Sequence, residues 1–121
     1  MIDSKNGNKK LANQFRALSN DKRLQILGWI LDPTKHFEAQ IDGDLVDDGV
    51  CVGRIVDKIG LKQPTVTSHM KLLADADLVS AKKIKNWVFY KPNRRAIEDL
   101  FILAEANLLP SNRSINSKKK S

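Results

Sequence analysis

Most apolar positions in this chain recur every three to four residues, the spacing of one helix face. Leu11, Phe15 and Leu18 predict a short helix over Lys9–Leu18, preceded by a frayed arm over residues 1–8. Ser19 reads as the cap of a second helix, because its hydroxyl can accept from a free backbone N–H in the next turn. Asp21 suits the positive end of that helix. Leu24, Ile26, Leu27, Ile30 and Leu31 would face inward, and Asp32-Pro33 stops the helix. A loop or hairpin over residues 34–50 follows. Val52, Ile55, Val56 and Ile59 then predict a third helix, ended by Gly60 in a left-handed conformation.

Two residues on, the pattern restarts in Leu61-Lys62-Gln63-Pro64-Thr65-Val66-Thr67-Ser68-His69-Met70-Lys71-Leu72-Leu73. Gln63 can cap this helix, and Pro64 fits its first position, where a missing N–H does no harm. Val66, Met70 and Leu73 fall at i, i+4 and i+7 and face the core, while Pro64, Thr65, Thr67, Ser68 and Lys71 stay outside. Helix, glycine turn, helix is the helix-turn-helix arrangement. Leu78–Ile84 and Trp87–Tyr90 are strand-like and are joined by a tight turn at Lys85-Asn86, giving a β-hairpin with a basic tip. The last helix, within Pro92–Leu109, carries two apolar stripes. One is Ile97, Leu100, Phe101, Ala104 and Leu108; the other is Ile102, Leu103, Ala106 and Leu109. A terminal helix that is apolar on two sides needs two surfaces to bury against, and in a short chain another subunit is expected to supply the second. Pro110 ends it, and residues 111–121 form a polar tail with Lys118-Lys119-Lys120, expected to be disordered.

Length and composition narrow this picture to one domain. The chain has 121 residues, and a hydrophobic fraction of 41% is enough for a small core. The net charge of +7 favours a polyanionic partner. It is unevenly spread: residues 32–50 are net acidic and sit between two basic blocks. The run Asp42-Gly43-Asp44-Leu45-Val46-Asp47-Asp48-Gly49 invites a calcium reading, but Val46 stands where a third ligand would be needed, so a solvated acidic loop is preferred. No apolar run approaches the roughly 18 residues of a membrane span, and no apolar signal region follows Met1. One cysteine excludes an internal disulfide. The expectation is a cytoplasmic protein with no membrane partner.

Together these elements predict a mainly α fold with a small β-hairpin, a winged helix-turn-helix. Ala17-Leu18-Ser19-Asn20-Asp21-Lys22-Arg23-Leu24-Gln25-Ile26-Leu27, then Gln63 to Leu73, then Ala76-Asp77-Leu78-Val79 running into Trp87-Val88-Phe89-Tyr90, resemble the ArsR/SmtB repressors of bacteria over about residues 11–109. The resemblance implies a homodimer paired through the first and last helices, bound to a pseudo-palindromic operator in double-stranded DNA until an effector, here unknown, weakens it. Leu11, Phe15, Ile97, Leu100, Phe101, Ala104 and Leu108 are then interface candidates. A dimer places two recognition helices, residues 63–75, about 34 Å apart in successive major grooves.

Gln63, Thr65, Thr67 and Ser68 become candidates for base edges and nearby phosphates, since Gln pairs with adenine and Thr touches a thymine methyl. Capping and surface polarity would place the same residue types there. Lys62 and Lys71 are candidates for phosphates. His69 lies at the flank of the inward face, where a hydrogen bond to the core or a turn is favoured over base reading. In the wing, over residues 82–87, Lys82, Lys83, Lys85 and Asn86 can reach phosphates or the minor groove. The family commonly has Gly where Lys85 stands, so Asn86 is expected to carry the left-handed conformation. Trp87, Phe89 and Tyr90 read as packing.

Relatives that sense thiophilic metals carry Cys-Val-Cys in the third helix; this chain has Cys51-Val52-Gly53. A soft-metal site needs about three or four sulfur or nitrogen ligands, and only Cys51, His36 and His69 exist. The closing helix offers Glu98, Asp99 and Glu105 but no histidine. No metal and no cofactor are expected, and Cys51 reads as a small buried hydrophobe. Two alternatives stay open: redox sensing by Cys51, and a winged-helix protein-interaction module. No nucleophile–base pair or Gly-rich phosphate loop suggests an enzyme.

Overall fold

The computed structural model describes residues 4–109, so the basic tail lies outside the described residues. Helix α1 spans Ser4–Leu18, α2 Asp21–Leu31 and α3 Pro33–His36. Strand β1 is Val50–Cys51, α4 Val52–Ile59 and α5 Gln63–Asp75. Strands β2 (Val79–Ile84) and β3 (Trp87–Pro92) lead to α6, Arg94–Leu108. The arm expected over residues 1–8 is therefore helical from Ser4 onward.

The second helix begins one residue later than its sequence suggests. Asn20, not Ser19, is the cap: its Oδ1 accepts from the backbone N–H groups of Lys22 and Arg23 at 2.9 and 3.1 Å. Ser19 is used in the turn that closes α1, where its N–H donates to the Arg16 carbonyl. Ile26, Leu27 and Ile30 are buried as expected, but Leu24 is 53% exposed. At 100° per residue it lies roughly 110° from the middle of that stripe. Pro33 ends α2 and then opens the single turn of α3. Trp29 and Phe37 meet edge to face at 6.3 Å, and Lys58 Nζ lies 5.0 Å from the centre of the Trp29 ring.

The acidic segment is better ordered than a solvated loop. Asp44 Oδ1 accepts from the N–H groups of Val46 and Asp47, and Asp44 N–H donates to Asp48 Oδ2 at 2.7 Å. Gln40 ties the segment to β1, accepting from the Cys51 N–H at 2.7 Å and donating to the Gly49 carbonyl at 3.0 Å. Strand β1 then pairs antiparallel with β3, Val50 opposite Tyr90 and Cys51 opposite Phe89. The expected two-stranded hairpin is thus a three-stranded sheet in the order β1-β3-β2. A two-residue strand carries too few positions to show a period.

Helix α4 ends at Gly60, with φ +76, as expected. Lys62 is the cap residue of α5, and Gln63 and Pro64 are already helical, one step earlier than the sequence reading. Val66, Met70 and Leu73 are completely buried, joined in one core by Ile26, Ile55 and Leu78. At the wing tip Lys85, not Asn86, takes positive φ, at +56°. Phe89 and Tyr90 are buried, while Trp87 is half-exposed. Asn93 starts α6, its Oδ1 accepting from Ala96 N–H while its Nδ2 donates to the Asp77 carbonyl. Helix α6 packs against α1. Leu11 and Leu100, expected at a dimer interface, lie inside this chain's own core, with Ile97 and Ala104 half-buried against it. Phe101, Ile102 and Leu108 are 61–66% exposed, and Phe15 is 40% exposed.

Candidate nucleic-acid interface

Helix α5 is held by one face and presents the other. With Val66, Met70 and Leu73 seated in the core, Lys62, Gln63, Pro64, Thr65, Thr67, Ser68 and Lys71 are all exposed. Gln63, Thr65, Thr67 and Ser68 form no side-chain hydrogen bond among the described residues, so their donors and acceptors are available to a ligand. No side chain caps the start of α5, which leaves the positive end of the helix open toward an anion. Lys71 pairs with Asp75 one turn on, at 3.2 Å, but both side chains are more than half exposed. Such a pair is worth little and exchanges readily for a phosphate.

His69 stands apart from this group. It is half-buried, and its Nδ1 lies 3.0 Å from Arg23 Nη1. Arg23 also donates from Nε to the Ala17 carbonyl at 2.6 Å. Burial first, then the charge of Arg23, lowers the His69 pKa from its ordinary 6.5, against a smaller opposing effect of Asp21. Arg23 has no signature in the hydrophobic pattern, being a basic residue among others in α2. Gln14 escapes that pattern for the same reason: it is the buried polar side chain of α1, and its Nε2 donates to the Ala76 carbonyl just past α5.

The wing candidates Lys82, Lys83, Lys85 and Asn86 are all exposed, but two of them are engaged. Lys82 Nζ is 2.6 Å from Asp48 Oδ1, and Lys85 Nζ is 3.0 Å from Asp42 Oδ1. Lys91 adds a hydrogen bond to the Asp47 carbonyl at 3.0 Å. The Lys82 hydrogen bond is the main reason the Asp48 carboxyl titrates below the ordinary carboxylate value. The acidic segment therefore lies along the wing and engages three of its lysines. The net charges of the two segments hint at attraction, but no spacing rule pairs residues more than thirty positions apart.

Cys51 is the half-buried cap residue of α4. It borders a cleft of about 290 Å³ with Gln40, Arg54, Asp57 and Trp87. Among the described residues, no group of three or more His, Cys, Asp or Glu side chains is placed to hold a metal ion, and no helix is long and apolar enough to cross a membrane.

A recognition helix on a helical base, flanked by a three-stranded basic wing, defines a winged helix-turn-helix DNA-binding protein. No protein-family model matches the chain. The chain is 40% identical over 86 residues to the HTH-type transcriptional regulator YbzH of Bacillus subtilis (strain 168), covering 71% of this chain and 86% of that protein. It is 29% identical to the arsenical resistance operon repressor of Staphylococcus aureus, over 76% of this chain and 74% of that one. Its fold matches an ArsR-like transcriptional regulator from Rhodococcus sp. RHA1 with a TM-score of 0.66, at 17% identity over 93% of this chain and 92% of the other. The chain belongs to the HTH-type transcriptional regulators.

Proposed function

We propose that this protein is a cytoplasmic homodimer that represses transcription by occupying a pseudo-palindromic operator, with residues 9–110 as its DNA-binding domain. The outward face of α5 carries this reading: Gln63, Thr65, Thr67 and Ser68 stand unpaired between Lys62 and Lys71 on a helix fixed by three fully buried side chains. Side chains of this kind read base edges in the major groove, while Lys62 and Lys71 meet phosphates. Lys83 and Asn86, at the tip of the wing, approach the flanking backbone.

The experiment is a gel shift against duplexes selected from a random library, repeated across a salt series. Gln63→Ala is expected to weaken the selected site by about 1.4 kcal/mol, roughly tenfold, and to relax preference at one base position. Lys62→Ala is expected to weaken all sequences alike and to reduce the salt slope by about 0.9 for each phosphate no longer neutralised. Failure of the wild-type protein to select any sequence, or binding indifferent to salt, sinks the reading.

The dimer would rest on Phe15, Phe101, Ile102, Leu108 and Leu109, large apolar side chains exposed on α1 and along the second half of α6. A patch of this kind marks an interaction surface. Phe101→Glu is expected to shift the protein to monomer in sedimentation and to abolish operator binding while leaving the circular dichroism unchanged. A dimer of unaltered stability in that variant removes this face from the interface.

A further inference from the structure

Three helices meet at one guanidinium. Arg23 sits in the first turn of α2. Its Nε donates to the Ala17 carbonyl in the last turn of α1, and its Nη1 lies 3.0 Å from His69 Nδ1 in the middle of α5. The Ala17 carbonyl is one that a helix end leaves without an internal partner. The α1–α2 corner and the recognition helix are thus joined by one side chain. Core packing against Val66, Met70 and Leu73 fixes how deep α5 sits. It also fixes which face turns inward, but apolar contact is non-directional and leaves the finer orientation of the helix less sharply defined. A hydrogen bond across the helices supplies that direction.

We propose that Arg23 and His69 are positioning residues for DNA reading: their hydrogen bond sets the orientation of α5 against the α1–α2 corner, and it exists only while the His69 ring is neutral. The inference rests on α5 being the reading helix. A guanidinium carries only donors, so His69 Nδ1 must be the acceptor and the ring proton must sit on Nε2. Protonating Nδ1 replaces the hydrogen bond with two facing cations about 3 Å apart, an arrangement that must open.

The surrounding charges do not rescue it. From α2, Asp21 acts on the ring as a weaker, opposing influence than Arg23. The cleft beside Arg23 also holds Arg16 of α1 and Asp75 of α5, but Arg16 donates to Asn13 and Asp75 pairs with Lys71. From α4, Arg54 donates to the Ala39 carbonyl, Lys58 lies over Trp29, and Asp57 borders the cleft at Cys51. From β2, Lys82 turns to Asp48 and Lys83 is exposed.

The consequence runs against simple electrostatics. Acidification adds positive charge, which strengthens binding to a polyanion of any sequence. Loss of the Arg23–His69 bond instead weakens the part of binding that depends on how α5 is held. Operator preference is therefore expected to fall on acidification while random-sequence binding holds or rises.

The test measures affinity for the selected duplex and for a random duplex of equal length, from pH 8 to pH 5.5 at constant ionic strength. The ratio of the two affinities is expected to fall at least threefold for the wild-type protein. His69→Asn keeps an acceptor near the position of Nδ1 but does not titrate. It is expected to hold the wild-type ratio at pH 8 within about twofold and to keep it at pH 5.5. Arg23→Ala, checked by thermal melting for intact folding, is expected to start with a reduced ratio at pH 8 and to show no further loss. If the wild-type ratio is flat or rises toward pH 5.5, or if His69→Asn falls as the wild type does, the positioning role is overturned. If no duplex is selected even at pH 8, it is the DNA-reading assignment that fails instead.

Discussion

A protein carrying Asp42→Asn and Asp48→Asn is expected to bind its operator on the order of 100-fold more tightly at about 50 mM salt, with the gain fading as salt rises. The two carboxylates hold Lys85 and Lys82 at 3.0 and 2.6 Å, and both lysine side chains are more than half exposed. Exposed pairs of this kind add little to the folded state, so the substitutions change stability little. Their effect lies in what the lysines are free to meet. In a dimer four wing cations are released, and each further phosphate they neutralise steepens the salt dependence by about 0.9 in log K against log salt. The salt slope is therefore the decisive measurement. A tighter complex with an unchanged slope would mean that the general rise in net charge is responsible. An unchanged affinity would mean that the wing lysines stay away from DNA. On the proposed function this result would assign the acidic segment a role: in a chain of net charge +7, it would restrain the sequence-blind share of the affinity.

Gly49→Ala is expected to lower the melting temperature by more than about 10 °C. Gly49 has φ +104, and a Cβ there would stand 2.5 Å from the Tyr90 carbonyl oxygen and 2.6 Å from its carbon. Both atoms belong to the backbone of β3, which cannot turn aside as a side chain would. Backbone strain of about 1–3 kcal/mol and a clash of similar size add up in a domain where about 1 kcal/mol moves the midpoint by roughly 4–8 °C. Gly60→Ala is the control: φ is +76, but nothing lies within 4 Å of the added atom, so only the conformational cost of about 1 kcal/mol applies. Equal melting shifts for the two variants would show that the approach of Gly49 to β3 is not what holds the acidic segment in place. Gly43, whose added Cβ would lie 2.9 Å from Phe89 Cε2, anchors the other end of that segment.

His69 also links pH to stability. Its folded pKa is lowered, so the unfolded chain takes up a proton more readily than the folded one. Its contribution is complete above pH 6.5, the unfolded value, and is lost as the pH falls below that point.

Much of the fold is legible in the sequence because one repeating signal writes it. Val66, Met70 and Leu73 stand at the spacing of a helix face, and all three are fully buried. Gly60 after α4 and Pro64 at the start of α5 mark the turn between the two helices by their backbone preferences alone. Boundaries slip by one residue at Ser19, where neighbouring Asn20 takes the cap, and at Gln63, where no side chain caps the helix to mark its start. Leu24 is apolar and so reads as inward, though its angle on the helix puts it outside. The resemblance makes Leu11 and Leu100 interface candidates, and both lie in this chain's own core; periodicity says that a face is buried, not which surface covers it.

The sequence by itself determined the order of the long helices and of the hairpin strands, the inward face of α5 and the polar set opposite it, since these depend on residues a few positions apart. The tertiary structure alone decided what joins distant positions. Asp48 meets Lys82, Arg23 meets His69, and Cys51 enters a third strand beside Phe89. Each of these pairings spans more than thirty residues. Charge and hydrogen-bonding capacity show which groups can pair, but only the path of the folded chain brings a given two within about 3 Å of each other.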